Sequence, residues 1–242
     1  MTTNTIHKKE KTPRIHMIQR GIAVGFPIML GYLPIAVTYG VLAKQAGMSL
    51  VELTSMSIFV FAGASQFMAV NMIAASAGIL EIIVATFVLN FRHFVMSLSF
   101  MNRLQGIGLK YKVPLSLGLT DETFAMSSLH TEEAKMEKGF LFYTSLILTA
   151  YFSWVTGSFL GGVLGEIIPA QLSQSMGIAL YAMFIGLLIP SVKKQMRVGI
   201  IAVFAMLINV LFSQFTSEGW AIVFGTVIGA ASGIFLLKED PK

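Results

Sequence analysis

Asn90-Phe91-Arg92-His93 lies in the middle of an apolar stretch running from about 79 to 101, and an arginine at that depth is the sharpest chemical signal in the chain. If the stretch is a membrane-crossing helix, Arg92 is only about 3 Å further along the axis than Asn90, too deep for easy snorkelling. A guanidinium at the bilayer centre costs at least about 2.5–3.5 kcal/mol on insertion scales, so it has to face protein or a water-filled cavity and find an anion. Thr86, Asn90, His93 and Ser97 recur at helical spacing and share one face, with Arg92 about 100° round from His93. Such a stripe serves either as hydrogen-bonding glue between helices or as a binding face. Thr86, Asn90 and Ser97 fit both descriptions, whereas Arg92 and His93 point to function because intramembrane charge is expensive.

The anion is expected from Asp121-Glu122, two adjacent carboxylates inside the apolar segment 114–130. One arginine neutralises one of them, which leaves the other as a candidate to bind and release a proton, with His93 as a further proton-coupling group. The plainer alternative is an interfacial loop in which both carboxylates are hydrated. Pro27 and Pro34, with Gly31 between them, free backbone carbonyls of the first helix, and these suit a substrate ammonium group. Around Gly63 the run Ala62-Gly63-Ala64-Ser65-Gln66, followed by Asn71, allows a half-helix to end with exposed backbone N–H groups suited to a carboxylate. Together these features suit a zwitterion, and the expected substrate-binding set is Pro27, Gly31, Pro34, Gly63, Ser65, Gln66, Asn90 and Arg92. Ordinary kinking and close packing are the competing use of the same Gly and Pro residues.

Other chemistries find little footing. Cysteine is absent, so disulfides, iron–sulfur clusters and thiolate metal sites are excluded. There is no His-Glu-x-x-His and no phosphate-binding Gly-rich loop with its Lys and Ser/Thr, so no metal, cofactor or directly bound ATP is expected. The nearest enzyme pattern is an intramembrane serine hydrolase using Ser65 and His93, but Gly63-Ala64-Ser65 lacks the glycine that should follow the nucleophile. The reading is therefore not an enzyme.

The elements that must position these groups follow from composition. Of 242 residues 55% are hydrophobic and only 12% charged, against roughly 25% charged in a soluble domain. Apolar segments lie at about 21–43, 51–76, 79–101, 114–130, 139–165, 172–190, 198–215 and 219–237, each near the length a helix needs to cross about 30 Å of hydrocarbon. The fold class expected is all-α, a polytopic integral membrane protein with about eight hydrophobic segments, one or two of them broken or re-entrant. The net charge of +5 is topological rather than a sign of nucleic-acid binding. Every Lys and Arg except Lys44 and Arg92 falls in the tails or in loops that want the cytoplasm, provided that 48–77 dips in from outside and 114–130 from inside. Eight full spans instead would strand Arg103, Lys110 and Lys112 outside. Residues 1–20 are expected to form a cytoplasmic basic tail without a cleavable signal, 21–237 a single transmembrane transporter domain and 238–242 a cytoplasmic C-terminal tail.

Two ladders of small residues spaced by four suggest close helix contact: Ser153, Gly157, Gly161 and Gly165, and then Gly225, Gly229 and Gly233. One is expected to pack internally and the other against a partner or in a higher oligomer. Trp154 and Trp220 are expected to be packing or interfacial anchors.

As an ordered set, several of these motifs resemble the AzlC family, the large subunits of bacterial branched-chain amino acid exporters. The carriers of the resemblance are Gly21-Ile-Ala-Val-Gly25-Phe-Pro27 with Pro34 and Gly40, Phe61-Ala-Gly63-Ala-Ser65-Gln66-Phe67, Asn90-Phe-Arg92-His93, Thr120-Asp121-Glu122 and Trp154-Val-Thr-Gly157. It covers most of the chain, from about Gly21 to Leu237. It implies export of branched-chain or similar hydrophobic amino acids across the bacterial plasma membrane, working with a small AzlD-type membrane subunit. The residue reading adds a secondary transporter, possible proton coupling and cytoplasmic termini, with a passive channel as the rival. A channel needs a continuous polar path rather than one buried charge cluster.

Overall fold

A computed structural model describes residues 14–104, 106–169 and 178–236, and among these it contains ten α-helices and one 3-10 turn. Residues 1–13 and 238–242 of the expected tails, 237 at the end of the expected transmembrane domain, and 172–177 of the sixth apolar segment lie outside the described residues. The all-helical membrane class stands. In chain order the helices are α1 (Arg14–Gln45), α2 (Leu50–Phe59), α3 (Gly63–Ala74), α4 (Ile79–Arg103), α5 (Leu109–Leu117), α6 (Asp121–Leu129), α7 (Gly139–Leu164), α8 (Ile178–Lys194), α9 (Met196–Ser213) and α10 (Glu218–Leu236). Of these α1, α4, α7 and α9 are long and apolar enough to cross a membrane. Residues 14–20 already belong to the first helix, so part of the stretch read as a basic tail is helical.

Both segments expected to be interrupted are broken, and local chemistry explains each break. α1 ends at Gln45, and Gly47, with a φ of 91°, closes it with bonds from Gly47 N to the Lys44 carbonyl and Met48 N to the Ala43 carbonyl. Ser49 and Glu52 then form a capping box that starts α2. α2 stops at Val60, and Phe61 takes a left-handed φ of 38°, which turns the chain into α3. The second break, Gly118-Leu119-Thr120, follows α5, and a Thr120–Thr123 capping box starts α6. The end of α4 is secured by Lys112, which donates to the Met101 carbonyl at 2.6 Å.

The chain divides into two compact units. One holds the chain through Ala36 together with Arg92–Gly157, and the other Val37–Phe91 with the chain from Ser158 onward. α1, α4 and α7 contribute residues to both, whereas α5–α6 belong wholly to the first and α2–α3 wholly to the second.

In the first unit Gly21 and Gly25 bring α1 onto α7, where an added Cβ would collide with the backbone of Phe142 and of Leu146. Aromatic rings fill the interior beside them: Phe100 and Tyr143 meet edge to face at 6.0 Å, and Trp154 meets Tyr32 at 5.3 Å. The 3-10 turn Thr131–Lys135 is pinned by Arg20, whose guanidinium lies 2.5 Å from the nearly fully buried Glu133, and by Tyr143, which donates to the His130 carbonyl. In the second unit Gly40 and Gly161 let α1 and α7 touch backbone to backbone, and Lys44 and Glu166 pair at 2.9 Å near the ends of these helices. α10 packs on α9, with Gly225 against Asn209 and Gly229 against Ala205. This corrects the expectation that one glycine ladder lacks an internal mate. Gly161 and Gly165 meet α1 at Val37 and Lys44, and Gly225 and Gly229 meet α9, because small residues four apart on α10 face Ala205 and its neighbour one turn on. Gly157 and Gly233 are buried as well.

Candidate functional site

The first unit gathers the charged residues that the sequence singles out. Arg92 Nη1 lies 2.8 Å from Asp121 Oδ2, so the arginine of α4 has its anion at the first residue of α6. Glu122, the next residue, takes a different partner. It accepts from the hydroxyl of Tyr32 on α1 and forms no ion pair among the described residues. Tyr32 is buried and its oxygen also lies 2.7 Å from Thr120 Oγ1, the N-cap of α6. The head of α6 thus receives a guanidinium from α4 and a phenol from α1. Two carboxylates at a helix N-terminus are further favoured by the helix dipole.

His93 joins the same cluster. Its Nδ1 is 2.9 Å from the Leu119 carbonyl, a backbone oxygen of the break before α6, so the hydrogen of this bond sits on Nδ1. Nε2, an acceptor in the neutral ring, is buried with no partner, as is Nε of Arg92. Ser97, one turn on, donates to the Ser116 carbonyl of α5. The polar stripe of α4 therefore faces the α5–α6 pair through His93 and Ser97. Thr86 instead bonds back to the Ile82 carbonyl of its own helix, and the Asn90 side-chain oxygen is buried without a partner.

Pro27, Gly31 and Pro34 lie on an exposed face of α1, which stays helical through both prolines, and nothing comes near Gly31. The inward face of this helix carries Ile28, Tyr32, Ala36 and Tyr39. Sequence reasoning missed Tyr32. Its position four residues after Ile28 and four before Ala36, on the face away from the prolines, is the signal that was available.

The second unit holds an uncharged polar cluster around the other break. Gln66 in the first turn of α3 donates to Ser57 Oγ of α2 at 2.9 Å, and Ser57 donates to Ser158 Oγ of α7 at 2.7 Å; all three side chains are fully buried. Ser65 donates to the Ala62 carbonyl, the arrangement of a helix start rather than of a nucleophile held by a base. No side chain caps α3 at Ala62, and the N–H groups of Gly63, Ala64 and Ser65 have no acceptor among the described residues. Gly63 is partly accessible, whereas Ala64 and Ser65 are buried.

Comparison with known proteins assigns the chain to a family. The family model described as AzlC protein matches residues 27–168, more than half of the chain and the part that carries both broken pairs, Arg92 and the two carboxylates. The chain belongs to the AzlC family. An uncharacterized membrane protein of Archaeoglobus fulgidus is 34% identical over 179 residues, 73% of this chain and 77% of its own length. The branched-chain amino acid transport protein AzlC of Bacillus subtilis is 28% identical over 172 residues, 71% of this chain and 66% of its own. The inner membrane protein YgaZ of Escherichia coli is 26% identical over 191 residues, 77% and 78% of the two chains. No solved structure matches significantly. Like these AzlC relatives, the chain is an integral membrane protein, and its conspicuous polar groups at helix depth gather at the two helix breaks.

Proposed function

We propose that this AzlC-family protein is a secondary transporter that exports branched-chain or similar hydrophobic amino acids across the bacterial plasma membrane, coupled to protons and working with a small AzlD-type subunit. The observation that carries the reading is the charge cluster at the head of α6, where Arg92 meets Asp121 while Glu122 is left to Tyr32. Burying these groups in a hydrocarbon environment is costly, and a path for a polar solute accounts for that cost. The transport name of the Bacillus relative supports the substrate class.

In this reading α2–α3 enters from outside and α5–α6 from the cytoplasm, each turning back at its break. That topology puts every basic loop in the cytoplasm and leaves Lys44 outside, beside Glu166. The substrate carboxylate is received by the open N-terminus of α3 or by Arg92, whose guanidinium leaves Asp121 as the substrate binds. Proton uptake at the α6 carboxylates accompanies that exchange.

The deciding experiment is reconstitution in vesicles, with and without the small subunit, followed by counterflow of labelled leucine and valine at several pH values. A carrier gives saturable exchange with a transient overshoot, which a passive channel does not produce. Absence of exchange for valine, leucine, isoleucine and methionine in both preparations would overturn the proposal.

A further inference from the structure

Asp121 and Glu122 stand side by side at the head of α6, but their surroundings divide the work between them. Asp121 is held by a fixed positive charge at 2.8 Å. Glu122 has the Tyr32 hydroxyl, and Tyr32 stands next to two more hydroxyls in line, since Thr120 Oγ1 is 2.7 Å from its oxygen and Thr123 Oγ1 is 3.1 Å beyond that. A phenol has one hydrogen, so it serves only one of its two neighbours at a time. When Glu122 is ionised it accepts only. Tyr32 then gives its hydrogen to Glu122, and Thr120 donates to Tyr32. When Glu122 carries a proton, it has a hydrogen of its own to donate to Tyr32. Tyr32 then turns to Thr120, and Thr120 turns to Thr123. Between Thr120 and Thr123 either oxygen is placed to donate, and the backbone bonds of the capping box persist in both arrangements. Every hydroxyl in the row is satisfied both ways.

Building on the carrier reading above, we propose that Glu122 rather than Asp121 is the group that takes up the proton, and that Tyr32 is the positioning residue through which its state reaches α1. The proton comes from water on one side of the membrane, an O–H bond forms on the Glu122 carboxylate, and the charge there goes from minus one to zero. On release the same bond breaks and the proton passes to water on the other side. The titratable and charged groups around Glu122 are Tyr32 from α1, Arg92 and His93 from α4, and Asp121 from α6; α7 contributes the uncharged ring of Trp154 against Tyr32. Before substrate binds, while Arg92 is paired with Asp121, protonating Asp121 would strand the guanidinium, whereas protonating Glu122 strands nothing. The Tyr32 end of the row lies on α1 between Pro27 and Pro34, neither of which has an N–H to give to the helix backbone. Reversal of the row is thereby felt on a stretch of α1 whose two prolines each leave out a helical backbone bond.

The test uses Glu122→Gln, Asp121→Asn and Tyr32→Phe in the full-length protein, read in two ways. Leucine counterflow and pH-gradient-driven leucine flux are measured in vesicles. Infrared difference spectra of the purified protein on acidification report carboxyl protonation without any substrate. Glu122→Gln is expected to flatten the pH dependence of whatever flux remains and to remove a carboxylic-acid band. Asp121→Asn is expected to lower flux at least tenfold yet keep both the pH dependence and the band. Tyr32→Phe keeps the ring against Trp154, so it should move the midpoint of the pH profile and shift the band, and it should add nothing in the background of Glu122→Gln. Persistence of the band and of the pH profile in Glu122→Gln overturns the proposal, as does a Tyr32→Phe effect that simply adds to it. If the unaltered protein exchanges no amino acid, the transport reading fails, and the infrared titration still decides whether Glu122 is the proton site.

Discussion

Arg92 and Gln66 show how differently a charged and a neutral polar group are accommodated at helix depth. Arg92 has one strong partner in Asp121 and a buried Nε without one, so the pair is only partly satisfied and free to rearrange. Arg92→Gln is expected to destabilise the detergent-solubilised protein by about 1–3 kcal/mol through the carboxylate it strands. The double variant Arg92→Gln/Asp121→Asn should recover part of that loss in a thermal melt while transport stays abolished. Gln66 is fully occupied by contrast, and Gln66→Leu leaves Ser57 short of a donor, at an expected cost of about 1–3 kcal/mol measurable in the same melt. The sequence exposes the first of these arrangements and hides the second. An arginine amid apolar residues demands an anion, and Asp121-Glu122 was the obvious supply. Ser57 and Ser158 carry no such demand, because one serine in an apolar helix reads as ordinary packing. Tyr32 was hidden for a related reason: an aromatic residue in a membrane helix is expected anyway, and only three-dimensional placement brings its hydroxyl to Glu122.

At the scale of elements, the helix breaks were legible because they depend on local chemistry. Ala62-Gly63-Ala64-Ser65 and Thr120-Asp121-Glu122-Thr123 interrupt apolar runs with residues that suit helix starts, and α3 and α6 begin there. The mates of the glycine ladders were not legible, because spacing identifies a contact face without naming what meets it. The outcome is a testable contrast between the α1–α7 contact and an open position on α1. A Cβ at Gly40 would fall on the Ser158 carbonyl, and one at Gly161 on that of Val37, while Gly31 has open space around it. Gly40→Ala and Gly161→Ala are therefore expected to cost about 1–3 kcal/mol each. Gly31→Ala should change stability by no more than about 0.5 kcal/mol. Thermal melts of the three variants, with yield of monodisperse protein as a second readout, check the order. A similar contact joins α4 to α10, where Glu81 accepts from Gly219 N at 2.8 Å and from the Ser217 hydroxyl at the start of the last helix. Glu81→Ala is expected to speed amide hydrogen exchange at the first turn of α10 without affecting α3.

For the whole molecule, the proposed topology makes both ends of each helix pair emerge on one side, and the absence of native cysteine offers a clean background for testing it. Single cysteines at Gly47 and Ser76 are expected to react with a membrane-impermeant maleimide added outside intact cells, and cysteines at Gly108 and Glu137 only after permeabilisation. Opposite labelling of positions 47 and 76 would show that α2–α3 crosses. The spans themselves differ widely in length. α1 has 32 residues, about 48 Å of helix, whereas α9 has 18, about 27 Å, and buries none of them. A rod of about 48 Å adjusts to different membranes by leaning or projecting into water, but α9 has no slack to give away. Acyl-chain length then becomes a control on this protein: lipids whose oily layer exceeds the reach of α9 must pinch inward around it, and leucine exchange should peak in bilayers of matched thickness and decline as the chains are lengthened.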